Sequence, residues 1–237
     1  MKSLLSCFAL LLLTGSLFSQ CYGSFEAYIS GGASGIRNNW GDIAPGENIT
    51  ERPIGVARFG FGASFVVGPR LLLRTSIQFS QYGERTLLEE GEIRWGTQHD
   101  GMGGFDLTIP PEITGDIKLT SRLTYFEGVV ALRYHFPVRS TWQPFAEGGM
   151  AFGAYGTTTN SSSLGEQSSR KEEFVRPLAP IPRVGFGADY PFNDYFGVYA
   201  MSVLQYHVLS ISKQQGWSVH PWQASLEFGV RVFMDPR

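Results

Sequence analysis

Arginine and carboxylate side chains alternate with apolar or small residues along several segments of the chain. The set contains five cations and five anions: Arg58, Arg74, Arg133, Arg183, Arg231, Glu26, Glu127, Glu147, Asp189 and Glu227. Residues two apart lie on the same face of a β-strand, so these side chains are expected to share one face of a sheet. An enclosed ion is tolerable when it is paired and hydrogen-bonded, and the planar guanidinium of arginine can serve two carboxylates. The pattern predicts a buried salt-bridge network, with an ion pathway lined by the same residues as the alternative.

A smaller set of residues has the chemistry of a hydrolase. His207, Ser210 and His220 lie near the end of the chain, and His99 precedes Asp100 further upstream. A serine, a histidine and an acid at one rim would support an enzyme that acts on lipid. However, the chain has neither a Gly-x-Ser-x-Gly elbow nor a His-x-x-x-His pair for a metal. We predict no enzymatic activity, no catalytic residue, no metal and no cofactor, and keep the rim enzyme as the less favoured alternative.

The elements that position these residues are predicted to be β-strands, because apolar residues recur with a period of two. In residues 124–136, for example, Phe126 and Val130 fall on one face, whereas Glu127 and Arg133 fall on the other. Eight strands are predicted, at residues 25–34, 56–67, 71–82, 124–136, 144–157, 183–190, 197–210 and 222–232. The seventh has no clear periodicity, so its faces are left unassigned.

The connections between these strands are alternately short and long. Tight turns rich in Gly, Pro, Asn and Asp are predicted at residues 67–70, 137–142 and 191–195. Long polar outer loops are predicted at residues 36–53, 85–117, 158–178 and 212–221. This alternation and the even strand number are typical of an outer-membrane barrel, with short periplasmic turns and long outer loops. The second loop is expected to prolong its two strands as a projecting hairpin, whose edge could receive a strand of a partner.

The two faces of each strand indicate which side meets lipid. The charged face has few lysines, and the opposite face is rich in phenylalanine. This favours polar residues inside the barrel and apolar residues outside; a soluble periplasmic barrel with inverted faces is the alternative. Aromatic residues beside the short turns are predicted to form a girdle at the membrane interface. They are Tyr134, Phe136, Trp142, Phe145, Tyr190, Phe192, Tyr195, Phe196 and Phe233.

Residues 1–20 have the layout of a secretory signal peptide. Lys2 precedes an apolar run from residue 4 to residue 13, and small and polar residues follow. Cleavage is predicted near residues 19–23, which leaves a single barrel domain at residues 24–234. Lipidation of Cys21 is the alternative, although Gln20 is larger than the small residue that such signals place before the cysteine. The expected destination is the outer membrane of a Gram-negative bacterium.

Composition excludes several other classes of protein. The net charge is −2, which argues against a nucleic-acid partner. Only 17% of the residues are charged and 14% are aromatic, the reverse of a disordered chain.

Three segments resemble an established family. Residues 123–136, together with Pro144-Phe145-Ala146-Glu147-Gly148-Gly149 and Val184-Gly185-Phe186-Gly187-Ala188, are similar to strands of the outer-membrane β-barrel domain family. That family includes the PorT-like barrels and the OmpX- and OmpW-like barrels, and the resemblance extends over most of residues 24–234. It implies an eight-stranded outer-membrane barrel of a Gram-negative, Bacteroidetes-type bacterium, but no single shared activity. Many such barrels end on an aromatic residue, whereas here Phe233 is followed by Met234-Asp235-Pro236-Arg237.

These observations predict an all-β, eight-stranded antiparallel transmembrane barrel whose lumen is largely filled by salt bridges. The expected role is structural, or the binding of a surface or envelope partner through the long loops, because a rigid barrel displays them. Expected partners are outer-membrane lipid and an envelope or extracellular protein. A small pore for ions or hydrophobic solutes remains the main alternative.

Overall fold

The computed structural model describes residues 23–39, 49–88, 117–165, 167–214 and 218–234. Within these ranges the strands are β1 (Gly23–Asn39), β2 (Ile49–Gly68), β3 (Leu71–Leu88), β4 (Ile117–His135), β5 (Gln143–Ser162), β6 (Gln167–Arg170), β7 (Leu178–Pro191), β8 (Phe196–Tyr206) and β9 (Ser218–Phe233). The predicted signal peptide, Cys21, His99 and Asp100 lie outside the described residues. Among the residues that are described, no helix has the length and apolar character needed to cross a membrane.

Eight of these strands close into a ring. Each pairs antiparallel with its neighbours in the order β1, β2, β3, β4, β5, β7, β8 and β9, and β9 pairs back onto β1. Within the part of the chain that the structure describes, the short strand β6 pairs with β5 alone, and it lies outside the ring. The predicted eight-stranded antiparallel barrel is therefore confirmed.

The faces of the strands place polar residues inside and apolar residues outside. In β9, Glu227 and Arg231 are 0% and 3% exposed, whereas Phe228 and Val230 are 55% and 53% exposed. The exterior also carries Phe25, Ile29, Phe61, Phe126, Phe152, Val184, Phe186 and Leu226. A water-soluble barrel would have these faces exchanged, so the exterior is that of a barrel that faces lipid.

The outer limit of the lipid-facing surface is marked by a row of aromatic rings. Phe59 stacks on Phe79 at a centroid distance of 5.2 Å, and Phe79 meets Phe126 edge to face at 5.6 Å. In β3 the outward positions are largely apolar from Leu71 to Phe79, and Gln81 is the next. Nine residues is the length of a tilted strand that crosses a bilayer. The parts of β2 to β5 beyond this aromatic row therefore lie outside the membrane-spanning segments.

The strands are longer at this outer end than the sequence indicated. β1 continues to Asn39, β2 begins at Ile49, and β3 and β4 stay paired up to Leu88 and Ile117. Parts of the predicted loops at residues 36–53, 85–117, 158–178 and 212–221 are thus strand. Ser and Thr residues are common in these extensions, and threonine is enriched in strands because its branched side chain packs well on a pleated surface.

The ring divides above the membrane. β1 and β2 pair up to Ser34 and Ile54 and then separate; β1 stays with β9, and β2 stays with β3. Residues 49–53, 82–88, 117–122 and 157–162 continue upward together with β6. We call this five-stranded extension the outer sheet.

Candidate functional site

Arg74 of β3 lies at the centre of the enclosed charges. Its Nε donates to Glu26, its Nη1 donates to Glu147 at 3.1 Å, and its Nη2 donates to Glu227 at 2.8 Å. The same Nη2 also donates to the Tyr199 hydroxyl at 2.9 Å. These partners belong to β1, β5, β8 and β9, so a single guanidinium joins distant parts of the barrel wall.

Glu147 forms ion pairs with arginines of both neighbouring strands, β4 and β7. Arg133 donates to Glu147 Oε2 from Nε at 3.0 Å and from Nη2 at 2.8 Å, and Arg183 Nη2 lies 3.0 Å from Glu147 Oε1. The Arg133 guanidinium also lies over the Phe145 ring, 4.1 Å from its centroid. Phe145 is fully buried, so its predicted place in the aromatic girdle is wrong. It shares the inward face of β5 with Glu147, because the two are two residues apart.

The network reaches the short-turn end of the lumen at Asp189. Arg231 Nη1 donates to Asp189 Oδ2 at 3.0 Å, and His135 Nε2 lies 2.5 Å from the same oxygen. Arg133 Nη1 lies 3.7 Å from Asp189 Oδ1. A cavity of about 10 Å³ opens beside this group, lined by Gln143, Asp189, Tyr190, Pro191, Gly197, Val198, Arg231 and Phe233. Such a volume holds about one water molecule.

Glu127 differs from the other enclosed carboxylates. Among the described residues no cation lies within 4.0 Å of it, and it instead accepts hydrogen bonds from Tyr82, Gln78 and Gln205. Gln205 also accepts a hydrogen bond from Arg58, which pairs with Glu227 at 2.9 Å. Glu127 is thus connected to the arginines through an amide side chain.

A cluster of buried aromatic and aliphatic side chains extends from Val129 and Ala131, below Glu127 on β4, up to the outer end of the lumen. The buried cluster consists of Ile36, Tyr82, Leu123, Tyr125, Val129, Ala131, Ala151, Tyr155, Val175, Ala179, Ile181, Ile211 and Val219. The Tyr125 ring lies between those of Tyr82 and Tyr155, with centroid distances of 5.6 and 5.7 Å. We call the part of this cluster above Glu127, with Tyr82, Leu123, Tyr125 and Tyr155, the upper layer. The ion pairs around Arg74, Arg133 and Asp189 are the lower layer.

The residues considered for a rim enzyme are not assembled as a catalytic set. Ser210 Oγ accepts hydrogen bonds from the backbone amides of Ser212 and Val219. His207 is buried against the rings of Tyr82 and Tyr125, and within the described residues neither of its ring nitrogens has a hydrogen-bond partner. His207 follows the last residue of β8, and burial, followed by His220, lowers its pKa to about 3. Its imidazole is therefore neutral and faces no serine hydroxyl.

All ten charged residues singled out in the sequence lie inside the barrel, each at most 7% exposed. The ion pairs join nine of them directly, and Glu127 through Gln205. Sequence reasoning missed Tyr28, Tyr199 and Gln205, which complete the hydrogen bonding of these charges. Tyr28 follows Glu26 by two residues, so the same period of two could have identified it.

The remaining residues of the predicted girdle lie at the short-turn end. Tyr134, Phe136, Trp142, Phe192, Tyr195 and Phe196 are each more than a third exposed, and Tyr190 and Phe233 are partly buried. Trp142 packs on Tyr190 at 4.9 Å, and Tyr190 meets Phe192 at 5.3 Å. Among the residues that the structure describes, no group of three His, Cys, Asp or Glu side chains is placed to hold a metal ion.

The solved structures that match this chain have low sequence identity to it. Neisserial surface protein A has 14% identity and a TM-score of 0.41, and the match covers 88% of this chain and 96% of that protein. The outer membrane protein OprG from Pseudomonas aeruginosa has 13% identity and a TM-score of 0.43, with coverages of 89% and 95%. Ail of Yersinia pestis, solved with the heparin analogue sucrose octasulfate, has 13% identity and a TM-score of 0.35, with coverages of 87% and 98%. No protein-family model matches the sequence, and no curated protein matches it.

Proposed function

We propose that this chain is an outer-membrane barrel of a Gram-negative bacterium with a closed lumen, and that it acts through the part that stands above the membrane. The observation that carries the proposal is the filling of the lumen by two layers. Arg74 and its carboxylate partners are at most 4% exposed, and Tyr82, Leu123 and Tyr125 above them are at most 1% exposed. An eight-stranded barrel is only wide enough for its side chains to fill.

Because the lumen is closed, the function is expected to depend on the outer sheet. A barrel that conducts nothing still holds its outer strands rigidly, and binding residues are commonly displayed on such scaffolds. Among the described residues the outer sheet ends at β6, whose backbone pairs with β5 alone, and this edge could receive a strand of a partner. We therefore favour a structural or partner-binding role at the cell surface, with an envelope or extracellular protein as the partner.

Conductance of the refolded protein in a planar lipid bilayer tests the closed lumen. Heat-dependent gel mobility identifies the folded and inserted fraction. The expected result is an absence of channel steps from folded protein. Stable single-channel steps would overturn the closed lumen and favour the pore, with Arg58, Arg133 and Glu127 as the first residues to substitute for changes in selectivity.

Protease treatment of intact cells tests the display of the outer sheet. Lys171 and Lys213 are exposed near the base of the outer sheet, on the same side of the membrane, and trypsin should cleave there if this side faces the medium. Arg70 and Arg139 in the short turns are the internal controls, because they should be cleaved only after the outer membrane is opened. Cleavage at the short turns of intact cells would contradict the orientation.

A further inference from the structure

Four cations share the outward face of the outer sheet. Arg52 of β2 lies directly opposite Arg85 of β3, and Arg85 lies opposite Thr120 of β4. Residues that are opposite one another project from the same face of a sheet, as do residues two apart on one strand. Lys118 and Arg122 flank Thr120 at these positions. Arg52, Arg85 and Lys118 are exposed, and Arg122 is partly exposed. We call this group the basic patch.

The charges of the basic patch are not balanced by nearby acids. Among the described residues, no carboxylate lies within 4.0 Å of any of the four side chains. Within the described residues, Arg122 alone of these side chains donates a hydrogen bond, to Gln81 at 3.5 Å. Glu51 and Glu84 belong to the same strands but project from the opposite face, where both accept hydrogen bonds from Asn38.

Arg52 and Arg85 are expected to repel one another, because they lie directly opposite in the sheet. Backbone partners of this kind have Cα atoms only about 4.5–5.5 Å apart, and like charges directly opposite one another destabilise a sheet. An anion bound between the two guanidinium groups would convert this repulsion into two attractive contacts. Arginine binds phosphate oxygens with two parallel N–H donors. Hydroxyl groups of Thr120, Thr159 and Ser161 lie on the same face and could donate to further anionic oxygens.

The height of the basic patch indicates where such an anion would come from. The patch is on the lipid-facing side of β2 to β4, directly above the aromatic row of Phe59, Phe79 and Phe126. Arg122 is opposite Gly83, four residues beyond Phe79, and Arg85, opposite Arg52, is six residues beyond it. For a strand tilted by about 40°, these positions are roughly 10 Å and roughly 15 Å above that row. Long arginine and lysine side chains can reach back toward the bilayer from this height.

We propose that the basic patch binds the phosphorylated headgroup of a glycolipid in the outer leaflet. The inference rests on the outer-membrane location proposed above but not on the closed lumen. Arg52 and Arg85 hold one phosphate between them, and Lys118 and Arg122 serve neighbouring anionic groups of the same lipid. The bound lipid thereby screens the like charges and ties the outer sheet to the membrane surface.

The test compares two double variants with the same loss of charge. Arg52→Gln/Arg85→Gln removes half of the basic patch, and Arg70→Gln/Arg139→Gln removes two exposed cations at the short-turn end. Each protein is refolded into phosphatidylcholine vesicles that contain diphosphoryl lipid A, dephosphorylated lipid A or neither. The measurements are the amount of lipid A retained after detergent extraction, determined by native mass spectrometry, and the temperature at which heat-dependent gel mobility is lost.

The wild-type protein and the short-turn variant are expected to retain diphosphoryl lipid A and to be stabilised by it. The Arg52→Gln/Arg85→Gln variant should bind it about tenfold more weakly, the loss expected for at least one charge-assisted hydrogen bond. Equal retention by the two variants, or equal retention of the dephosphorylated lipid, would overturn the proposal. So would binding of soluble heparin at the patch without binding of lipid A, since the patch would then serve a soluble polyanion. Conductance does not enter this test, so its failure is distinguishable from failure of the closed lumen.

Discussion

Arg74 and Glu227 are joined across the lumen by a hydrogen-bonded ion pair of 2.8 Å, although their strands are not neighbours in the sheet. β3 and β9 are separated by β2 and β1. The pair therefore links two parts of the wall that backbone hydrogen bonds do not connect directly. Both side chains are 0% exposed, so neither charge has access to bulk water.

Substitution of one member of this pair is expected to be costly. Arg74→Met leaves Glu26, Glu147 and Glu227 short of a cation, and loss of one partner of a buried ion pair costs about 3–5 kcal/mol of unfolding free energy. Urea unfolding in lipid vesicles, followed by tryptophan fluorescence, measures this loss. Arg139→Gln at an exposed turn is the control and should change the free energy by less than about 0.5 kcal/mol.

The coupling between Arg74 and Glu227 is measured by adding Glu227→Gln. Because the two side chains are in contact, the double variant should lose less than the sum of the single losses, by about 1–3 kcal/mol. Additive losses would show that the pair does not act as a unit. That result would leave the lower layer as a set of independent side chains.

Inward glycines make room for the tyrosines of the network. A Cβ at Gly229 would lie 2.3 Å from Cε1 of Tyr199, whose hydroxyl donates to Glu227 at 3.0 Å. Gly229→Ala should therefore displace this ring and cost about 1–3 kcal/mol, as overpacking of a filled interior does. Gly128→Ala is the matched control, because nothing lies within 4 Å of a Cβ there. Equal stabilities of the two variants in the same unfolding assay would contradict the tight packing around Tyr199.

Most of the residues that line the barrel interior could be predicted from the sequence. Arg58, Arg74 and Arg133 stand out because each interrupts a strand whose neighbouring positions are apolar or small, so the period of two assigns their faces. The seventh predicted strand, which is β8, could not be assigned. Its inward residues include Tyr199, Met201 and Val203, which are as apolar as the outward ones, so the alternation disappears.

The strands of the outer sheet could not be predicted from the sequence in the same way. Above the membrane both faces of a strand can meet water, and no hydrophobic alternation is required. In β4, Lys118, Thr120 and Arg122 alternate with Leu119 and Ser121, a pattern that reads as a polar loop. These residues are paired because the hydrogen-bonded ladder of the barrel continues into them. The composition of the segment does not indicate this continuation.

The outer sheet should show a distinct dependence on pH. Burial, followed by the charge of Glu51, raises the pKa of Glu84 from 4.5 to about 8. Glu84 lies five residues beyond Phe79 and so above the membrane. The folded chain then binds more protons than the unfolded chain between these two values, and stability falls as pH rises from about 4.5 to about 8.

Glu84→Gln should remove this dependence, because glutamine does not ionise. The variant should be more stable than the wild type near pH 9 by several kcal/mol, because one pKa unit corresponds to about 1.4 kcal/mol, and nearly equal to it near pH 4. Hydrogen exchange of the β3 and β4 amides above the membrane, measured at both pH values, reports the local stability. Glu173→Gln in the exposed connection after β6 is the control and should keep the wild-type dependence. A wild-type profile in the Glu84 variant would assign the dependence to another group.

Each of the two layers should be sufficient to block ions. Loss of either layer alone should therefore leave the barrel unable to conduct. Tyr125→Ala opens space in the upper layer but leaves the ion pairs of Arg74, Arg133 and Asp189 below it. Arg74→Ser opens the lower layer but leaves Tyr82, Tyr125 and Tyr155 above it. In planar bilayers each single variant is expected to show no channel steps, whereas Tyr125→Ala/Arg74→Ser should conduct ions. Heat-dependent gel mobility ensures that only folded protein is compared. Channel steps from the Tyr125→Ala variant alone would show that the ion pairs do not block ions, because removal of the aromatic layer would then have been sufficient.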